Sequence, residues 1–247
     1  MNRDIKTKGI IIKKVKFRET SIILDVLTPD LSVISVMAKG IRNIKSKNTG
    51  LIELLNELEL VLYKNPNSDW YFYRSSHLIN AHLFNIEHTT SILMQAPVEV
   101  IRQIIVPLDD SFAIYELLET YLNYIKTIKK NEITIFWRFL LKLSKIIGIE
   151  FSTNYCIECE QQKLFHAYFP QKHGFICNDC FHPVNDEQVF KLNIDAADLI
   201  SKLNSIGNYI NDISISKSSI KQINRIFLIH LSEHFHKKIY LKSIELL

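Results

Sequence analysis

Cys156, Cys159, Cys177 and Cys180 are the four cysteines of the chain, and they fall as C-x2-C-x17-C-x2-C. Two residues between paired cysteines let both thiolates of a knuckle converge on one ion. Two such pairs at this separation match a four-thiolate zinc ribbon. The intervening KLFHAYFPQKHGF is long enough for two strands that return the second knuckle to the first. Soft ligands in a reducing compartment favour Zn2+, with an iron–sulfur cluster or a disulfide pair as rivals. A closed four-ligand site leaves no open position for water, so the expectation is one structural Zn2+ and no catalytic one. Phe165, Tyr168, Phe169 and Phe175 are expected to pack a miniature core beside it.

Other reactive patterns fare less well. His230-Leu-Ser-Glu233-His234 spells H-x-x-E-H, the signature of inverted zinc peptidases, with Glu245 downstream as a conceivable third ligand. It stands within 18 residues of the last residue, which leaves little chain for a substrate cleft, so chance in a His-bearing helix is the better reading. A zinc deaminase needs Glu two residues after a His, and none of the nine histidines has it. The six glycines stand alone, so neither G-x-G-x-x-G nor a P-loop can be assembled. No catalytic residue is assigned, and the chain is not expected to be an enzyme.

Charge is distributed unevenly. Residues 1–50 carry eleven Lys and Arg against four Asp and Glu, a local balance of +7, while the whole chain is only +4. A localised cationic field of this kind suits a polyanion.

The elements that would carry these residues separate into two textures. KGIIIKKVKF, SIILDVLT and LSVISVMA read as three β-branched strands, with Pro29-Asp30 turning the second into the third. After Gly40 comes the basic loop RNIKSKNTG, then two further candidate strands near 57–63 and 70–79. Five short strands with a basic loop and interleaved aromatics describe a Greek-key barrel of the OB type, although an SH3-like barrel would read the same. From about residue 86 apolar spacing changes to three and four. SILMQAPVEVIRQIIVPL, FAIYELLETYLNYIKTI and ITIFWRFLLKLSKIIG read as helices, the second capped by Asp109, Asp110 or Ser111, and helical texture returns after residue 185. In the third of them Arg138, Lys142 and Lys145 form one cationic edge on an otherwise apolar rod. The expected fold class is α+β and multidomain: an OB-type β-barrel over 1–80, an α-helical domain over 81–150 and 186–247, and a four-cysteine zinc-ribbon insertion over 151–185. No apolar run approaches the roughly 20 residues a bilayer demands, and charges occupy the place of a signal-peptide core. A soluble, cytoplasmic protein is therefore expected.

The order of these parts resembles the RecO family of bacterial recombination mediators. The matching stretches are FRETSIILDVLTPDLSVISVMAKGIRNIKSK at 17–47, YELLETYL at 115–122, LLKLSKIIGIEFSTNYCIEC at 140–159, GFICNDC at 174–180 and HLSEHFHKKIYLKSIELL at 230–247. One departure is His173 before Gly174, where the family commonly has two glycines. Zinc is not universal in that family, and the four thiolates place this chain among its zinc-bearing members. The resemblance implies a nucleoid-associated, non-enzymatic role without a small-molecule substrate: binding single- and double-stranded DNA, annealing complementary strands, and working with RecR to load RecA onto strands covered by the single-stranded-DNA-binding protein. Lys13, Lys14, Lys16, Arg18, Lys39, Arg42, Lys45 and Lys47 are the candidates for phosphate contacts. Trp70, Tyr71, Phe72 and Tyr73 are candidates for base stacking, and alternation along a strand requires that two of them point into the barrel. The family's helical domain takes the acidic, hydrophobic tail of the single-strand binder, for which Arg138, Lys142 and Lys145 are candidates. The competing reading is a zinc-ribbon scaffold that contacts RNA or a protein without annealing.

Overall fold

The computed structural model describes residues 4–43, 49–64, 68–182 and 189–246. The basic-loop residues Lys45 and Lys47 lie outside them. Two compact units, Met1–Lys126 and Thr127–Leu247, divide the chain.

In the first unit five strands, β1 (Asp4–Phe17), β2 (Ser21–Thr28), β3 (Ser32–Ala38), β4 (Asn56–Lys64) and β5 (Tyr71–Ala81), close in the order β1-β2-β3-β5-β4. β1 is longer than its sequence suggested because it serves two partners. Asp4–Ile10 pairs with β4, Ile10–Phe17 pairs with β2, and a bulge between Ile11 and Lys13 turns the strand from one to the other. Closure through β1, together with parallel β3–β5 pairing, is the OB-type arrangement. Ile22, Leu24 and Val26 of β2, Ile34, Val36 and Ala38 of β3, and Leu58, Leu60 and Leu62 of β4 alternate inward and form the buried core. Gly9 stands where β1 crosses this core: a Cβ there would lie 2.4 Å from Val26 Cγ1.

Two helices follow in this unit, α1 (His88–Ile101) and α2 (Ser111–Ile125). Pro97 inside α1 has no N–H for the Leu93 carbonyl, and the Tyr121 hydroxyl donates to that oxygen instead, at 2.7 Å. α1 stops well short of Leu108. Pro107 disfavours helix at Val106, whose carbonyl accepts a hydrogen bond from Ser32 Oγ at 2.8 Å. α2 also departs from expectation, since Asp110 at its N-cap makes no side-chain capping bond. Ser111 Oγ is committed elsewhere, donating to Thr28 O at 2.7 Å and accepting from Ser32 N at 3.1 Å. A buried polar group ties α2 to the sheet. Glu57, 1% exposed, accepts from Tyr115 Oη at 2.9 Å and from Asn80 Nδ2 at 2.8 Å, and the fully buried His82 lies beside it.

The second unit contains α3 (Ile133–Ile146), a sheet of β6 (Phe165–Phe169), β7 (Gly174–Cys177) and β8 (Phe190–Lys191) in the order β7-β6-β8, and then α4 (Ile194–Lys202) and α5 (Lys217–His234). α3 buries Ile135, Phe136, Trp137, Phe139, Leu140 and Leu143, and Trp137 Nε1 donates to Asn224 of α5 at 2.7 Å. α4 and α5 are capped as their sequences suggest, by Asn193 and Ser216, whose side-chain oxygens accept from Ala196 N and Ser219 N. Among the described residues, no helix is long and apolar enough to cross a membrane.

Candidate nucleic-acid interface and candidate metal centre

Residues directly opposite each other on paired strands share a face. The pairings Val15–Ile23, Ile23–Met37, Met37–Phe72 and Phe72–Tyr63 therefore draw one belt of apolar side chains around the outside of the barrel, across all five strands. Val15 is exposed and the other four are half-buried. Outward apolar residues gain nothing from the barrel core, so the belt is a surface suited to flat, partly apolar ligands.

Cations border it. Lys39 Nζ lies 4.9 Å from the Phe72 ring centroid, the Arg74 guanidinium 5.2 Å from Tyr63, and the Arg18 guanidinium 5.3 Å from Phe17. Arg18 and Lys39, with Phe17, Glu19, Met37 and Gly40, line an open cleft of about 610 Å3 at the β1–β2 turn. Arg42 joins them: its backbone N–H donates to Thr20 O at 3.0 Å and its Nη1 to Arg18 O at 3.3 Å.

The eight proposed phosphate ligands are thus not equivalent. Arg18, Lys39 and Arg42 converge on one end of the barrel, and Lys16 is exposed on β1. Lys13 is paired with Asp25 at 3.3 Å and Lys14 with Glu53 at 2.7 Å, so part of their charge is offset locally. Of the four aromatics, Tyr71 and Tyr73 are the two that pack against the barrel core, while Phe72 faces out under Lys39 and Trp70 is half-buried just before β5. Phe17, Met37, Tyr63 and Arg74 were missed in the sequence. Their signal was there in β3, where Val33 and Met37 are apolar at positions that alternate with the inward Ile34, Val36 and Ala38.

In the second unit the four thiols meet. Cys156 and Cys159 flank a tight turn, Cys177 ends β7, and Cys180 follows in the next turn; their sulfurs all lie within 4.8 Å of one another, with Cys159 and Cys177 at 4.0 Å. A tetrahedral ion with bonds of about 2.3 Å to sulfur would set these separations at roughly 3.8 Å. All four are free thiols, so the disulfide alternative is not what the structure shows. Burial disfavours a thiolate at Cys156, but backbone N–H groups of Cys159, Cys177 and Glu158 outweigh it and bring the pKa down to about 7. Hydrogen bonding with the Cys177 and Cys159 sulfurs pushes Cys180 up to about 12. Four sulfur donors gathered within this span are the set that a tetrahedral, thiophilic divalent cation would take. These residues fit a metal ion.

The expected miniature core is divided between two faces of the ribbon sheet. Phe169, Ala167 and Ile176 turn toward the thiols. Phe165, Tyr168 and Phe175 cluster instead with Phe151, which also meets Phe227 of α5. Gly174 is needed at the hairpin, since a Cβ would lie 2.2 Å from Ile157 Cγ2. On α3, Arg138 is half-buried and Lys142 and Lys145 are, respectively, exposed on the wet edge that the helix pattern implied. The H-x-x-E-H segment lies on α5 with Glu233 exposed and His230 fully buried.

Two family models account for nearly the whole chain: the recombination protein O N-terminal model matches residues 1–82, and the C-terminal model residues 88–243. Among curated relatives, the DNA repair protein RecO of Acetivibrio thermocellus is 25% identical over 94% of this chain and 92% of its own length. That of Dehalococcoides mccartyi (strain 195) is 31% identical over 72% of this chain and 70% of its own length. That of Prosthecochloris aestuarii is 29% identical, over 62% of this chain and 58% of its own length. The closed five-strand barrel, the helices and the thiol cluster thus belong to a member of the RecO family of DNA repair and recombination proteins.

Proposed function

We propose that this chain is a non-enzymatic recombination mediator that binds single- and double-stranded DNA on the outer face of its barrel, anneals complementary strands, and with RecR helps load RecA onto DNA covered by the single-strand binder. The observation that carries the reading is the belt Val15–Ile23–Met37–Phe72–Tyr63, bordered at one end by Arg18, Lys39 and Arg42. Apolar and aromatic surfaces hold bases without reading their edges, and adjacent cations neutralise phosphates, so two polyanions can approach and pair. In an OB-type barrel the surface of strands 2 and 3 with the first turn is the usual oligonucleotide platform. Annealing breaks no covalent bond, so no catalytic group is required.

Lys16, Lys45 and Lys47 extend the phosphate path in this reading, and Lys13 and Lys14 contribute less because of Asp25 and Glu53. Residues 1–80 act as the DNA-binding domain. The thiol cluster over 151–185 holds one structural Zn2+, an ion that neutralises thiolates and fixes the two turns. The helices of 81–150 and 186–247 serve recruitment, with Arg138, Lys142 and Lys145 facing the acidic tail of the single-strand binder. The protein works in the cytoplasm, on the nucleoid.

The test is strand annealing on DNA coated with the cognate single-strand binder. Acceleration by the wild-type chain, lost in a variant carrying Arg18→Ala, Lys39→Ala and Arg42→Ala, is the expected result. DNA binding without annealing, or equal or higher affinity for structured RNA, would replace the mediator with an interaction scaffold.

A further inference from the structure

Three histidines form a second cluster, separate from the four thiols. His173 ends the hairpin turn of the ribbon, immediately after a 3-10 turn at Pro170–Lys172, and His230 and His234 lie one helical turn apart on α5. The ring centroids of His173 and His234 are 4.2 Å apart and those of His230 and His234 are 4.6 Å apart. One nitrogen from each of the three lies within 4.8 Å of the others.

Two features separate this cluster from ordinary aromatic packing. His234 Nε2 is buried without a hydrogen-bond partner, an arrangement that costs free energy unless something occupies its lone pair or its proton. His173 holds φ at +49°, in the left-handed region that a β-carbon disfavours, and so presents its ring to α5 at a backbone cost. His230 is already oriented as a ligand would be. Its Nε2 lies 2.5 Å from the Ile149 carbonyl, which can only accept, so Nε2 carries the proton and Nδ1 is the basic nitrogen; Tyr168 Oη lies 2.9 Å from it. Metal-bound imidazoles characteristically donate their other N–H to such a carbonyl.

We infer that His173, His234 and His230 form a second metal site, separate from the four thiols, that takes a divalent transition ion of the Zn2+, Co2+ or Ni2+ class and pins the ribbon hairpin to α5. All-imidazole donors suit these ions and not Mg2+ or Ca2+. His173 and His234 are the primary ligands. His230 completes the set when the Tyr168 hydroxyl turns its proton away, and water fills the remaining position. With about 2.0–2.1 Å bonds, tetrahedral nitrogens stand roughly 3.4 Å apart, a distance reached by rotating the exposed His173 ring. The ion is structural here, because it joins the hairpin to α5.

The full-length chain, purified with its thiol site filled, is dialysed to equilibrium against Co2+ and its bound metals are counted. Wild type is expected to gain one equivalent with weak visible bands and no thiolate-to-cobalt charge transfer, and to melt at a higher temperature with Co2+ than without. His173→Asn, which tolerates the left-handed backbone, and His234→Gln are each expected to weaken that equivalent by at least about tenfold, leaving the thiol-bound metal in place. Retention of the thiol-bound metal shows that each variant has folded. No added equivalent in wild type, or an added equivalent that survives both substitutions, overturns the site. Charge-transfer bands on Co2+ addition would assign the uptake to the thiols, and likewise overturn it.

Discussion

The barrel and the ribbon solve the same problem by different means. Twelve buried apolar residues from the strands and their connections hold the barrel, which can therefore leave its outer face apolar and cationic for a ligand. The ribbon has three short strands and, on the face that meets the thiols, a cluster whose five buried members include two of the four cysteines. The thiol face alone offsets little of the conformational entropy of its segment, and on the reading proposed above a thiol-bound ion makes up the difference. The barrel is held by its own apolar core, and the ribbon, on the reading proposed above, by an ion as well.

The largest effect that would sharpen this contrast is loss of thiolates. Cys156→Ser combined with Cys159→Ser should abolish metal at the cluster, where apparent binding free energies in comparable sites are about 10–16 kcal/mol. Hydrogen exchange should rise over residues 151–182 and stay unchanged in the barrel strands. Uniform protection would show that the ribbon needs no ion. The converse substitution, Leu60→Ala, should cost the barrel about 2–5 kcal/mol in urea unfolding while leaving metal affinity at the thiols as it was.

Acid should act on both units of the chain. Burial, aided by the Lys126 charge, brings the His82 pKa down to about 4, and burial does the same to His230 despite its bond to Ile149. Each folded pKa lies below the unfolded value of about 6.5, so the unfolded chain binds the proton more readily. The stability that these residues contribute is full above pH 6.5 and is lost as pH falls toward 4. Imidazole resonances of His82 and His230 should stay in the neutral form at about pH 5.5, and titration near 6.5 would contradict the burial assigned to them.

A smaller change is expected from Phe72→Ala. It removes the aromatic beneath Lys39 and should weaken single-strand binding by about 1–3 kcal/mol, with little change in barrel unfolding. An unchanged affinity would place the bases elsewhere than on the belt.

Much of this was legible in the chain. All five strands, the turn at Pro29-Asp30 and the cysteine spacing mark their elements directly, because alternation and paired cysteines are local signals. What was not legible depends on partners distant in sequence. The β-bulge after Ile11 exists because β1 changes partner, Ser111 forgoes capping because Thr28 and Ser32 take its hydroxyl, and Lys13 and Lys14 are offset by acids 12 and 39 residues away. The division of Phe169 from Tyr168 and Phe175 was decided by which face of β6 meets the thiols, something composition does not encode.

The salt dependence of single-stranded DNA binding tests the central claim most directly. If Arg18, Lys39 and Arg42 grip phosphates at the end of the belt, the logarithm of affinity falls linearly with the logarithm of salt concentration. Replacing all three with Ala should then lower the slope by about 2, at roughly 0.7 per phosphate contact. Removing Lys13 and Lys14 should change it by less than about 1. A slope near zero in wild type, or one unaltered by the triple substitution, would contradict DNA binding by this face.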